Sequence, residues 1–190
     1  MSLLTPTPGQ TIGPFYGYAL PFDGGNELVS PGFPGAIRLH GTVTDGAGAP
    51  VPDALLEIWQ ADADGHVAQQ HGSLRRDGWT FTGWGRTGTD DAGHYSFTTV
   101  EPGPGAPDQA PFFAITVFAR GLLNRLFTRA YVPGEQLSSD RLLAGLPDDR
   151  RRTLIAQRDH HGLRFDIRLQ GDPADPGSET VFLNFPGHSG

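Results

Sequence analysis

The chain has 190 residues and a formal net charge of −7, so it offers no net cationic surface for nucleic acid or an anionic membrane. Its 27 glycines and 17 prolines disfavour long helices, while 37% hydrophobic and 10% aromatic residues are too many for a disordered chain and enough for one core. With no cysteine, disulfides, thiolate metal sites and a cysteine nucleophile are excluded.

In chain order, residues 1–36 come first, rich in Pro and Gly and without a sustained period. They are expected to form an extended arm whose aromatics, Phe15, Tyr16, Tyr18, Phe22 and Phe33, need another surface to lie on. The start, "MSLLTPTPGQ", has neither the basic region nor the apolar stretch of a secretory signal, and no later segment has the length of a membrane span. A soluble, cytoplasmic protein is expected.

Residues 37–190 are expected to form a single β-sandwich domain. "AIRLHGTVTDGAGAPVPDALLEIWQ" alternates Ile37, Leu39 and Val43, turns at "DGAGAP", and alternates again through Leu56 and Ile58. Further strands are predicted in "TFTGWGRT", "GHYSFTTV", "FFAITVFAR", "RLFTRAYV", "LRFDIRLQG" and "TVFLNF", each short and rich in aromatic or β-branched residues. Trp59, Trp84 and Phe97 are expected in the core. A helical insertion is predicted near 138–157, capped by Ser138 or Ser139 and restarted at Pro147, with "DDRRR" as a solvated helix face.

Among possible metal motifs, "DADG" at 62–65 imitates a calcium loop, but counting from Asp62 the fifth and twelfth positions are His66 and Ser73 instead of an oxygen ligand and a bidentate glutamate. A turn whose aspartates accept from neighbouring amides is expected instead. The seven histidines form no H-x-H or H-x-x-x-H pair, and the adjacent His160 and His161 would face opposite sides of a strand. A G-x-S-x-G elbow and a phosphate loop are also missing.

Two segments, "GTVTDGAGAPVPDALLEIW" and "TDDAGHYSFTTVEPG", share a strand, acidic glycine turn and strand, the plan of many prealbumin-like sandwich modules. More specifically, "TPGQTIGPF", "LLEIWQADADG" and "GWGRTGTDDAGHYSFTTVEPGPG", closed by "RFDIRLQG" and "ETVFLNF", together resemble the intradiol ring-cleaving dioxygenases, in the same order and from about Thr5 onward. The likeness is closest to members that act on protocatechuate.

Catalytic chains of that family hold a non-haem ferric ion with two tyrosines and two histidines, hard phenolate and imidazole donors suited to Fe(III). The matching positions here are Val67, Gly105, and either Phe112 with Ala114 or Phe113 with Ile115. The resemblance therefore implies an α subunit with no metal and no catalytic residue of its own. Fe(III) is expected on an iron-bearing β chain, in a higher-order αβ hetero-oligomer that acts on protocatechuate and O2. It also implies that Thr11, Gly13 and Pro14 of "QTIGP", and Arg129 of "LFTRAYV", contribute to the substrate pocket. By composition alone the first three read as a surface turn and Arg129 as a strand charge facing water. The rival classes are a non-catalytic prealbumin-like binding module and a solitary decayed dioxygenase.

Overall fold

A computed structural model of the chain describes residues 11–68, 77 and 80–184. The first ten residues of the expected arm, His71, His188 and Phe185 lie outside the described residues.

Two sheets face one another. β1 (Ala36–Thr44) pairs with β4 (His94–Val100) on one side and with the short β8 (Gly162–Arg164) and β9 (Ile167–Arg168) on the other, and β7 (Gln157–Asp159) closes the edge. The second sheet runs β3 (Trp84–Gly88), β2 (Leu55–Gln60), β5 (Phe112–Phe118), β6 (Leu126–Tyr131), all antiparallel. Between them pack Leu39, Val43, Tyr95, Phe97, Leu163 and Ile167 from the first sheet against Leu56, Ile58, Phe113, Ile115 and Val117 from the second. β5 alternates buried and half-buried residues along its length, as a strand covered on one face must.

The expected final strands are less regular than their sequence. "RFDIRLQG" is divided between β8 and β9, because Phe165 donates to the His40 carbonyl while the Asp166 carboxylate takes the Thr42 amide out of the ladder. Residues 180–184 run beside β6 without forming a strand, held by Leu183 to the Phe127 carbonyl and by the Thr128 hydroxyl to the Val181 carbonyl.

The helical insertion is real but broken into single turns. A 3-10 turn (Glu135–Ser138) precedes α2 (Arg141–Ala144) and α3 (Asp148–Arg152). Asp140, not Ser138 or Ser139, caps α2, accepting from the amides of Leu142 and Leu143. Gly145 ends α2, and Pro147 both forces Leu146 out of helical geometry and opens α3. "DDRRR" is not simply solvated: Arg150 donates to the carbonyls of Gly177 and Glu179, and Arg151 to those of Leu143 and Leu146. These turns cover a second apolar cluster of Ala110, Tyr131, Leu143, Leu154 and Val181 on the outer side of β6.

The arm lies partly on its own sandwich and contains one helical turn, α1 (Tyr16–Ala19). Tertiary contacts hold a turn this short. Tyr16 is buried and donates to the Asp53 carbonyl, Arg86 donates to the Leu20 carbonyl, Phe22 stacks on Trp84, and Leu28 donates to Thr98 and enters the core. Phe15 and Tyr18 remain 80% and 86% exposed, so these two aromatics have no cover among the described residues.

Candidate functional site

The expected metal positions converge on one place. At the end of β2 the chain turns through 62–66, where the Asp62 carboxylate accepts from the amides of Asp64 at 3.0 Å and His66 at 2.8 Å, the expected aspartate turn. Gly65 has φ +85°, and a Cβ there would collide with the Pro104 carbonyl; a Cβ on Gly103 would collide with the carbonyl of Ala63. Only glycines allow this approach, which is sealed by Gly103 donating to the Asp62 carbonyl at 2.7 Å. Val67 is thereby returned beside Ala61 and brought next to Gly105.

Below these two loops lies the outer face of β5. Phe113 and Ile115 point into the core, fully buried, so Phe112 and Ala114 are the pair that face outward. Together with Trp59 and Gln109, the residues Val67, Gly105, Phe112 and Ala114 line a cavity of about 180 Å³. Trp59 does not belong to the core as expected: it is 45% exposed and forms one wall, while Trp84 and Phe97 are buried. Gln60 is buried here with its amide satisfied by Thr99 and by the carbonyls of Ala61 and Val100.

A ferric ion needs phenolate, imidazole or carboxylate donors. Among the described residues this cavity presents an isopropyl, two glycines, a phenyl, two methyls, an indole and two carboxamides, and that set does not fit the ion. The one cluster of possible ligands elsewhere among the described residues, Asp62, Asp64 and His66, is the aspartate turn itself, with Asp64 and His66 exposed. His160 and His161 are not on a strand; they form the β7–β8 turn with ring centroids 3.8 Å apart, and His40 faces Asp159 beside them.

Arg129 lies on β6, the strand next to the one that carries Phe112 and Ala114. It pairs across Ala114, which pairs in turn with Trp59, so the three side chains form one outward row over β2, β5 and β6. The guanidinium carbon lies 4.0 Å from the Phe112 ring centroid, and Nη1 donates to the Tyr131 hydroxyl at 3.1 Å. That hydroxyl donates to Asp140, whose buried carboxylate also accepts the amides of Ala110, Leu142 and Leu143. Burial raises the Tyr131 phenol above its ordinary value, Arg129 opposes the shift and Asp140 adds to it. Among the described residues no carboxylate forms an ion pair with Arg129. It is half-buried and braced, not the free strand charge that composition suggests.

Thr11, Gly13 and Pro14 are exposed and lie at the other end of β5. The Ile12 amide between them donates to the Leu122 carbonyl at 2.7 Å, and Pro14 borders a shallow hollow of about 270 Å³ shared with Tyr18, Asp53 and the Arg120 that pairs with it. The space around Gly13 is open. Within this chain, then, the three arm residues and Arg129 do not form one site. Trp59 was legible as an outward residue, because Leu56 and Ile58 fix the inward phase of β2. Gln109, Tyr131 and Asp140 left no such signal.

A sequence model of the family described as Dioxygenase matches residues 13–171. The chain is 37% identical to the protocatechuate 3,4-dioxygenase alpha chain of Burkholderia cepacia, over 97% of this chain and 100% of that one. It is also 35% identical to the protocatechuate 3,4-dioxygenase beta chain of the same organism, over 74% of this chain and 66% of that one. Among solved structures, the dioxygenase domain of a dioxygenase and carbohydrate-binding protein fusion from Streptomyces sp. SirexAA-E superposes with a TM-score of 0.57 at 26% identity, covering 77% of this chain and 87% of that one.

Proposed function

The chain belongs to this dioxygenase family, and from that premise we propose that it is the non-iron α subunit of an intradiol enzyme that cleaves protocatechuate with O2 between its two hydroxylated carbons, giving 3-carboxy-cis,cis-muconate. The observation that carries the reading is the cavity that gathers the expected metal positions, where Val67, Gly105, Phe112 and Ala114 supply no donor, in a chain that matches an alpha chain over 97% of its length.

In this reading Fe(III) sits on a β chain of the same family, the two chains assemble as a cytoplasmic αβ hetero-oligomer, and this chain alone is inactive. The similarity to both an alpha and a beta chain supports a paralogous pair. No helix among the described residues is long and apolar enough to cross a membrane. Thr11, Gly13 and Pro14, on an arm that leaves Phe15 and Tyr18 uncovered, are the proposed wall of the partner's pocket. Arg129 is the proposed cation for the carboxylate of an aromatic acid.

Co-expression with an iron-bearing homologue tests this. The two chains should copurify, and removing residues 1–14, which leaves Tyr16 anchored, should raise KM or weaken assembly more than it lowers iron content. A truncated complex with unchanged assembly and kinetics would contradict the role given to the arm. A chain that never copurifies with such a homologue would favour the rival reading, a non-catalytic sandwich module.

A further inference from the structure

The strand beside β1 in the first sheet is interrupted. β8 and β9 both pair with β1, at His40–Arg164 and at Thr44–Arg168, but between them the Asp166 carboxylate takes the Thr42 amide at 3.0 Å in place of a backbone carbonyl. A carboxylate standing where a strand would run leaves a notch over Thr42. It lies on the outward side of β1, because Leu39 and Val43 fix the inward phase. The notch belongs to a hollow of about 510 Å³ whose lining also takes in Thr153, Ser178 and Thr180.

That lining is polar. Among the described residues it holds five hydroxyls, two guanidinium groups and one carboxylate, and its one aliphatic side chain larger than a threonine, Ile167, is fully buried. No aromatic ring belongs to it among the described residues. An apolar ligand has little to pack against, whereas a ligand rich in oxygen meets donors.

Arg164 and Arg168 flank the notch, with α-carbons about 13 Å apart at roughly 3.3 Å per residue, and both side chains line the hollow. They are engaged differently. Arg164 forks onto Asp166, Nε at 3.2 Å from one oxygen and Nη2 at 2.6 Å from the other, so the carboxylate of the lining is already taken. Arg168 has no such partner. Its Nη2 donates to the Gly46 carbonyl at 2.7 Å, the Asp172 carboxylate is 3.6 Å from that same nitrogen, and Nε is buried with no acceptor among the described residues. The side chain is only 27% exposed, and a charged donor left unmet away from water is costly. An oxyanion supplies the missing acceptors and the missing charge together.

Two guanidinium groups against one carboxylate leave the lining locally positive in a chain whose net charge is −7. A tetrahedral oxyanion suits it better than a planar carboxylate, because its oxygens can meet donors from both ends of the notch and from the Thr42 hydroxyl between them. The hollow is larger than one such group, and the hydroxyls of Thr44, Ser178 and Thr180 face what is left of it. We propose that the notch between β8 and β9 is a binding site for a small hydroxylated phosphomonoester, its phosphate held over Thr42 by Arg168 and Arg164. The site uses this chain's residues alone and does not depend on where iron is held.

The test is calorimetric titration of the full chain, in the assembly in which it purifies and in phosphate-free buffer. Glycerol 3-phosphate should saturate one site per copy of this chain. Inorganic phosphate should compete for that site with lower affinity, and neutral glycerol should not bind. Arg168→Gln should weaken glycerol 3-phosphate by about tenfold or more, and Arg168→Lys should restore part of the loss. Should Arg168→Gln fail to fold, Thr42→Glu on the outward side of β1 places a carboxylate in the notch and should abolish binding. Arg158→Gln, which removes an exposed cation paired with Glu101 outside the hollow, controls for net charge and should leave affinity within about twofold. The proposal is overturned by an absence of saturable glycerol 3-phosphate binding, by binding that the folded notch variants leave intact, or by an equal loss in Arg158→Gln.

Discussion

Arg129 and Phe112 are diagonal neighbours on β6 and β5, with the guanidinium carbon 4.0 Å from the ring centroid. The cation is held against the sheet by that aromatic face on one side and by the Tyr131 hydroxyl on the other. A cation–π contact of this kind contributes about 0.5–2 kcal/mol. Phe112→Leu keeps most of the bulk but removes the π-face, and urea titration should show a stability loss in that range. A neutral result would mean that Arg129 is positioned by Tyr131 alone.

Behind Tyr131, the Asp140 carboxylate accepts four donors from three parts of the chain: the Ala110 amide, the Tyr131 hydroxyl, and the α2 amides of Leu142 and Leu143. Tyr131→Phe removes one of them and should cost about 1–3 kcal/mol, since it leaves a buried acceptor short. Asp140→Ala also removes the helix cap, itself about 0.5–2 kcal/mol, and orphans the Ala110 amide. Denaturant unfolding should therefore rank Asp140→Ala clearly below Tyr131→Phe. Equal losses would show that the cap and the Ala110 bond contribute little.

Alkaline pH should act through the buried phenols. Burial, reinforced by Asp166, raises Tyr95 well above the ordinary value of 10.0, and burial also raises Tyr16 and Tyr131. Each proton is held more tightly in the folded chain than in the unfolded one. Stability is then intact below pH 10.0 and falls as pH rises through the folded-state values. Tyr95→Phe should flatten part of that alkaline decline. It should also lower stability at neutral pH, because the Phe165 carbonyl loses its donor. Parallel alkaline declines in the two proteins would contradict the assignment to Tyr95.

Gly65 is the residue that lets the 62–67 loop close over the "EPGPG" loop. Its φ of +85° and the Pro104 carbonyl against its α-carbon both oppose a side chain. Gly65→Ala should cost about 1–3 kcal/mol of backbone strain, with further loss from the displaced loop. A variant as stable as the parent would show that the close approach of the two loops adds little to the fold.

How far the sequence carried the reading depended on whether one residue or several had to agree. Alternation alone located β1, β2, β4, β5 and β6, because burial on one face imposes a period of two whatever the rest of the chain does. The same rule separates Phe112 and Ala114 from Phe113 and Ile115, but only after the core side of β5 is known from packing. Asp140 was missed as a cap because two serines precede it, and its preference is decided by the buried Ala110 and Tyr131 it serves at the same time. Arg129 was legible as a candidate by resemblance, yet its brace through Tyr131 to Asp140 joins residues on two elements and has no linear signature.

Whether this chain holds metal is read most directly from iron per chain in the complex formed with an iron-bearing homologue. Metal analysis should give one iron per αβ pair, and substituting the partner's tyrosine ligands alone should remove all of it along with the tyrosinate-to-iron absorption. Two irons per pair, or iron and colour retained when only the partner's ligands are removed, would place a metal on this chain and contradict the account.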